Sequence, residues 1–119
     1  MSILSTVLIV LVALEFFYIL YLETFATTSD ATSRVFNMTK EELKSKALNT
    51  LFKNQGIYNG LIGVGLLYSV FLSSNPIEIS RLLLIYIILV ALYGSITSDK
   101  KIILAQGGLA ILALISTFF

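Results

Sequence analysis

Four stretches of this chain are long and apolar enough to be membrane spans: about residues 2–22, 54–73, 76–97 and 100–119. Backbone in hydrocarbon must satisfy its own hydrogen bonds, so each stretch predicts a helix. Joined in series, they predict an all-α, integral membrane four-helix up-down bundle of one domain, residues 1–119. The composition agrees, with 57% hydrophobic and 13% charged side chains, where a soluble domain averages about 25% charged.

The absences exclude whole classes of chemistry. With no cysteine there is no disulfide, thiol nucleophile or thiolate metal site. With no histidine the usual general base and the commonest transition-metal ligand are missing. No metal or cofactor is expected. The net charge of +1, with no basic stripe interleaved with aromatics, gives no reason to expect nucleic acid as a partner. Residues 1–22 carry no Lys or Arg in their leading part, and Glu15 interrupts the apolar run, so they read as a retained span and not a signal peptide.

Cations set the topology. The first connection holds Arg34, Lys40, Lys44, Lys46 and Lys53, and the third holds Lys100 and Lys101; the opposite side has only Arg81. The positive-inside rule then places loops 24–53 and 98–101 in the cytoplasm of a plasma-membrane protein, with both termini outside. Within the long first connection, Thr39 and Glu42 form a capping box. Leu43, Ala47, Leu48, Leu51 and Phe52 follow at helical spacing, so an amphipathic helix on the cytoplasmic membrane surface is expected. Asn75 as N-cap, Pro76 at the first helical position and Glu78 at the third predict the start of span three. Asp99 is the expected N-cap of span four.

The polar side chains inside the spans gather toward one leaflet: Glu15, Gln55, Asn59, Tyr93, Thr97 and Gln106. Glu15 lies roughly 12 Å from the cytoplasmic end of its span at 1.5 Å per residue, and the others lie within about 8 Å of theirs. Glu15 and Tyr18 share a helical face, as do Gln55, Tyr58 and Asn59. A lone carboxylate in hydrocarbon costs several kcal/mol, so Glu15 is expected to be neutral, hydrated, or paired with Lys53 or Lys101. A neutral Glu15 would donate to Asn59 or Gln106. Gly56, Gly60 and Gly63 stack on another face of span two. They suit close packing inside the bundle, against a strip of Ala91, Gly94, Ser95 and Ser98, or a homodimer seam. Glu23 reads as a solvated interfacial charge.

The run from Ala13 through Glu15, Tyr18 and Tyr21 to Glu23 resembles a family of small bacterial four-span proteins, domain-of-unknown-function family 1304. So do Asn54-Gln55-Gly56-Ile57-Tyr58-Asn59-Gly60, Tyr93-Gly94 and Gln106-Gly107-Gly108. The resemblance covers essentially the whole chain and implies an integral membrane protein with no established activity. Some relatives carry an epimerase label, for which these residues offer no nucleotide site. Length, four spans and a first-span Glu also invite comparison with small multidrug transporters, but the long first connection and the glycine pattern differ.

Three functions follow in order. The first is a cytoplasm-facing polar cavity around Glu15 that binds or transports a small polar or cationic solute with proton coupling. Tyr18, Tyr58 and Tyr93 would be its aromatic walls and Gln55, Asn59 and Gln106 its orienting groups. The second is an accessory or scaffolding protein whose polar layer is structural. The third is a membrane-embedded enzyme using Glu15 with Tyr58 or Tyr93 as an acid/base pair.

Overall fold

A computed structural model describes residues 1–98 and 102–119. Among these the chain is all-helical: six α-helices, one π-helical turn and no strand. Helix α1 runs Ile3–Leu20 and passes directly into the π turn Tyr21–Phe25; α2 is Asp30–Phe36, α3 Lys40–Lys44, α4 Lys46–Phe71, α5 Pro76–Thr97 and α6 Ile102–Ser116. Two continuous segments, Ile3–Phe25 and Pro76–Thr97, are long and apolar enough to cross a membrane. A shorter apolar helix covers Leu104–Ser116.

The chain divides into two compact units, one of residues 1–14 and 64–119, the other of residues 15–63. In the first, α5 buries one stripe, Ser80, Leu84, Ile87, Ala91 and Ser95, at the three- and four-residue spacing of a single helical face. Helix α6 meets α5 closely, and the small residues Gly107, Ala110 and Ala113 form its buried stripe. Buried hydroxyls join elements of this unit: Ser5 lies 2.8 Å from Ser116, and Ser69 lies 2.8 Å from Ser80.

The second unit is where expectation and structure part. The stretch expected as a surface amphipathic helix feeding span two is broken at Ser45, whose extended backbone ends α3. A single 26-residue helix, α4, then covers residues 48–52 and the second apolar stretch as far as Phe71. No Gly or Pro occurs between Lys46 and Gln55, so nothing in that sequence ends a helix once begun. The capping box at Thr39 and Glu42 is present as expected. Of the apolar stripe, Leu43 is buried and Phe52 packs edge-on against Phe36 at 5.1 Å, while Leu51 stays exposed.

Gly56 and Gly60 pack against the end of the first helical segment. An added methyl at Gly56 would collide with Thr24 Oγ1 and approach Glu23 Cβ to 3.1 Å; at Gly60 it would meet Leu20 Cδ2 at 2.7 Å. The close approach inferred from these glycines is therefore made within residues 15–63.

At the third span, Pro76 opens α5 as expected, but the Asn75 side chain makes no capping bond. The expected N-cap Asp99, with Lys100 and Lys101, lies outside the described residues.

Candidate functional site

The π turn begins where the apolar run of α1 ends. Its defining bond is Ala26 N–H to the Tyr21 carbonyl, 2.9 Å, one residue longer than an α-helical bond. The segment after it folds back through threonine hydroxyls. Thr27 donates to the Glu23 carbonyl at 2.7 Å, and the Thr32 hydroxyl lies 3.0 Å from the Leu22 carbonyl and 2.6 Å from that of Ala26. Ser29 caps α2 by accepting from the Thr32 amide, which fixes Thr32 in place. Thr24 donates to the Lys53 carbonyl at 2.9 Å and ties the turn to α4.

These contacts enclose Glu23. It is fully buried, at 0% exposure, with Cβ against the bare backbone of Gly56. Asn59 Nδ2 donates to Glu23 Oε1 at 2.7 Å. The other carboxyl oxygen, Oε2, is buried and has no hydrogen-bond partner among the described residues. A buried carboxyl is held by charge, by hydrogen bonds or by a proton, and only one of its two oxygens is satisfied here. π turns occur disproportionately at functional sites because they displace a side chain from the regular helical register.

Of the residues expected to form the site, Glu15 sits on α1, half-buried, with Oε1 enclosed and unpartnered among the described residues. Asn59 is half-buried on α4, and its amide goes to Glu23 where Glu15 was expected. Tyr18, Gln55 and Tyr58 are exposed. In the other unit, Tyr93 is exposed on α5 and Gln106 is half-buried on α6. Glu23 was missed as a site residue. It follows the last apolar residue of its stretch, where an acid is ordinarily solvated, and hydropathy does not register the fold-back that buries it. The available signal was the small-residue strip Gly56-x-x-x-Gly60, whose close approach to Leu20, Glu23 and Thr24 sets Glu23 beside Asn59. No group of three acidic side chains able to ligate a metal ion occurs among the described residues.

A family model described as "Protein of unknown function (DUF1304)" matches residues 10–118. The chain is 75% identical over 119 residues to "Uncharacterized protein YpaA" of Lactococcus lactis subsp. lactis (strain IL1403), covering all of both chains. No solved structure matches it.

Proposed function

The chain belongs to the DUF1304 family, and on that premise we propose that it is a four-span plasma-membrane protein that binds a small cationic or polar solute on its cytoplasmic side and exchanges it for protons. Its helices would form an up-down bundle with both termini outside and loops 24–53 and 98–101 in the cytoplasm. The outward-facing apolar side chains of α1 and α5 support this reading. Leu4, Val7, Leu11 and Leu14 on α1 and Leu82, Leu89, Leu92 and Ile96 on α5 are exposed, a surface suited to lipid and not to water.

The observation that carries the binding function is the Glu23 carboxyl, sealed from solvent with one oxygen held by Asn59 and the other free to take a cation or a proton. A carboxyl buried this completely is a candidate functional group, because its burial is costly and its partners are few. Glu15 supplies a second carboxyl with an unpartnered oxygen. Tyr18, Gln55 and Tyr58 line the approach in this proposal, with aromatic faces suited to a cation.

Reconstituted vesicles holding a pH-sensitive dye test this reading, with sodium, potassium and methylammonium salts added in turn. At least one salt should drive proton movement in the wild-type protein. Glu23→Gln should abolish it while the protein still inserts, and Glu15→Gln should weaken or abolish it. Wild-type flux unchanged in Glu23→Gln removes that carboxyl from the mechanism.

A scaffolding role is favoured by a separate observation. Phe25, Val35 and Leu51 are exposed apolar side chains on the unit that holds the first connection. On this reading Val35→Ser with Leu51→Ser releases a co-purifying partner and leaves vesicle flux unchanged.

A further inference from the structure

A cavity of about 740 Å³ opens at the start of α5, lined by residues that include Asn75, Glu78, Arg81, Leu82 and Ile85. It is of the size that commonly takes a small ligand. Arg81 is held rigidly at its edge. Its Nε donates to Thr117 Oγ1 at 3.0 Å and one Nη to the Thr117 carbonyl at 2.7 Å. The guanidinium also stacks 3.8 Å from the centre of the Phe118 ring. These contacts use one edge of the guanidinium and leave the other Nη with no hydrogen-bond partner among the described residues. A planar cation fixed in this way is suited to a phosphate.

Glu78 precedes Arg81 by three residues and so stands on the same side of α5, roughly 4.5 Å away along the axis. It is exposed and forms no ion pair with Arg81. Anion-binding and cation-binding groups thus border one cavity without neutralising each other. Leu82 and Ile85, also in the lining, continue into exposed Leu89, an apolar track running along α5 away from the charged end.

We infer that this cavity holds the headgroup of a phosphoethanolamine lipid, with its phosphate on Arg81, its primary ammonium on Glu78 and an acyl chain along Leu82, Ile85 and Leu89. The apolar track favours a lipid over a soluble phosphoamine, which would leave it uncovered. The inference rests on the membrane reading above and is independent of Glu23.

The test is lipid retention. Protein purified in detergent is placed in nanodiscs of mixed phosphatidylethanolamine, phosphatidylcholine and phosphatidylglycerol, then stripped, and the retained lipid is identified by mass spectrometry. Phosphatidylethanolamine should be retained in preference. Choline's quaternary ammonium cannot donate to Glu78, and glycerol brings no cation. Glu78→Gln should lose the preference, and Arg81→Gln should lose retention of all three. Because Arg81 also anchors Thr117, Glu78→Gln is the deciding variant, since the Glu78 side chain is exposed and the substitution keeps its shape. Equal retention of the three lipids, or an unchanged preference in Glu78→Gln, overturns the inference. Displacement by soluble phosphoethanolamine as effectively as by the lipid overturns the lipid assignment. Glu23→Gln should keep the preference intact, so loss of vesicle flux and loss of lipid selectivity are separate failures.

Discussion

Among the described residues, the buried polar side chains in the unit of residues 1–14 and 64–119 are serines, whereas in that of residues 15–63 they include a carboxyl. The serines complete their own bonding locally. Ser69 donates to the Leu66 carbonyl at 2.6 Å and is then free to accept from Ser80; Ser116 donates to Ala113 at 2.6 Å and accepts from Ser5. A hydroxyl can be satisfied by the preceding turn of its own helix, so burying it costs little. A carboxylate has no donor to offer a carbonyl, and the helix has no free N–H to offer it. Glu23 therefore depends on a second helix, and Asn59 supplies one bond where two oxygens need partners. Polarity alone therefore does not mark a site. What marks it is polarity that the local backbone cannot satisfy.

Removing one hydrogen-bond partner in each unit should have unequal consequences. Asn59→Leu leaves the Glu23 carboxyl with neither oxygen bonded and should cost about 3 kcal/mol of unfolding free energy. Ser69→Ala removes a hydroxyl whose neighbour Ser80 can turn to a carbonyl of its own helix, and should cost under about 1 kcal/mol. Chemical unfolding of the purified protein in detergent measures both. Equal losses would mean that the carboxyl is no more demanding than a hydroxyl. Adding Glu23→Leu to Asn59→Leu should recover most of the deficit, because the unpaired group is then gone.

Packing offers a second, somewhat smaller contrast. A side chain at Gly56 has no room beside Thr24 and Glu23, so Gly56→Val should destabilise by about 2 kcal/mol and disturb Glu23 directly. At Gly108 nothing lies within 4 Å of an added methyl, and Gly108→Ala should stabilise by up to about 1 kcal/mol through helix propensity. Thermal unfolding should shift in opposite directions for the two. A Gly56→Val protein as stable as wild type would show that the close approach at Glu23 is not required.

Much of the helical layout was legible in the sequence. Pro76 marks the start of α5 and Thr39-x-x-Glu42 the start of α3, because caps and prolines act over one turn and need no tertiary information. Apolar runs located α1 and α5 for the same reason. The turn Tyr21–Phe25, helix α2 and the burial of Glu23 were not legible. The burial of Glu23 depends on a chain segment returning over the turn, as when Thr32 reaches the Leu22 carbonyl ten residues back, whereas α2 carries a local cap at Ser29 that was not read. Asn59 was recognised as a polar group in search of a partner, but its partner lies 36 residues away on a segment whose exposure only the fold decides. Glu15 shows the opposite case. Its place inside an apolar run was readable directly, and the residue is half-buried there with Oε1 buried and unpartnered among the described residues.

The smallest effect concerns the charges of the first connection, which are exposed and so contrast with Glu23. Asp30 pairs with Lys40, and the hydrogen bond from that ammonium, with its charge, lowers the Asp30 carboxyl pKa below its ordinary value. Glu42 is lowered by the hydrogen bond its carboxylate accepts from the Thr39 amide. In both, the folded form holds its proton less tightly than the unfolded chain. The stabilisation is thus fully present above the unfolded pKa, near 4, and is lost as pH falls through the folded pKa. Amide resonances of Thr39 and Glu42 should move toward random-coil positions below about pH 4, reporting a fraying α3, and return on neutralisation. Salt distinguishes the two causes. About 0.5 M salt should weaken the exposed Asp30–Lys40 pair and raise the Asp30 midpoint, while Glu42, held by a neutral amide donor, should move less. Equal salt shifts at both residues would place the capping box under charge control and contradict the hydrogen-bond account of Glu42.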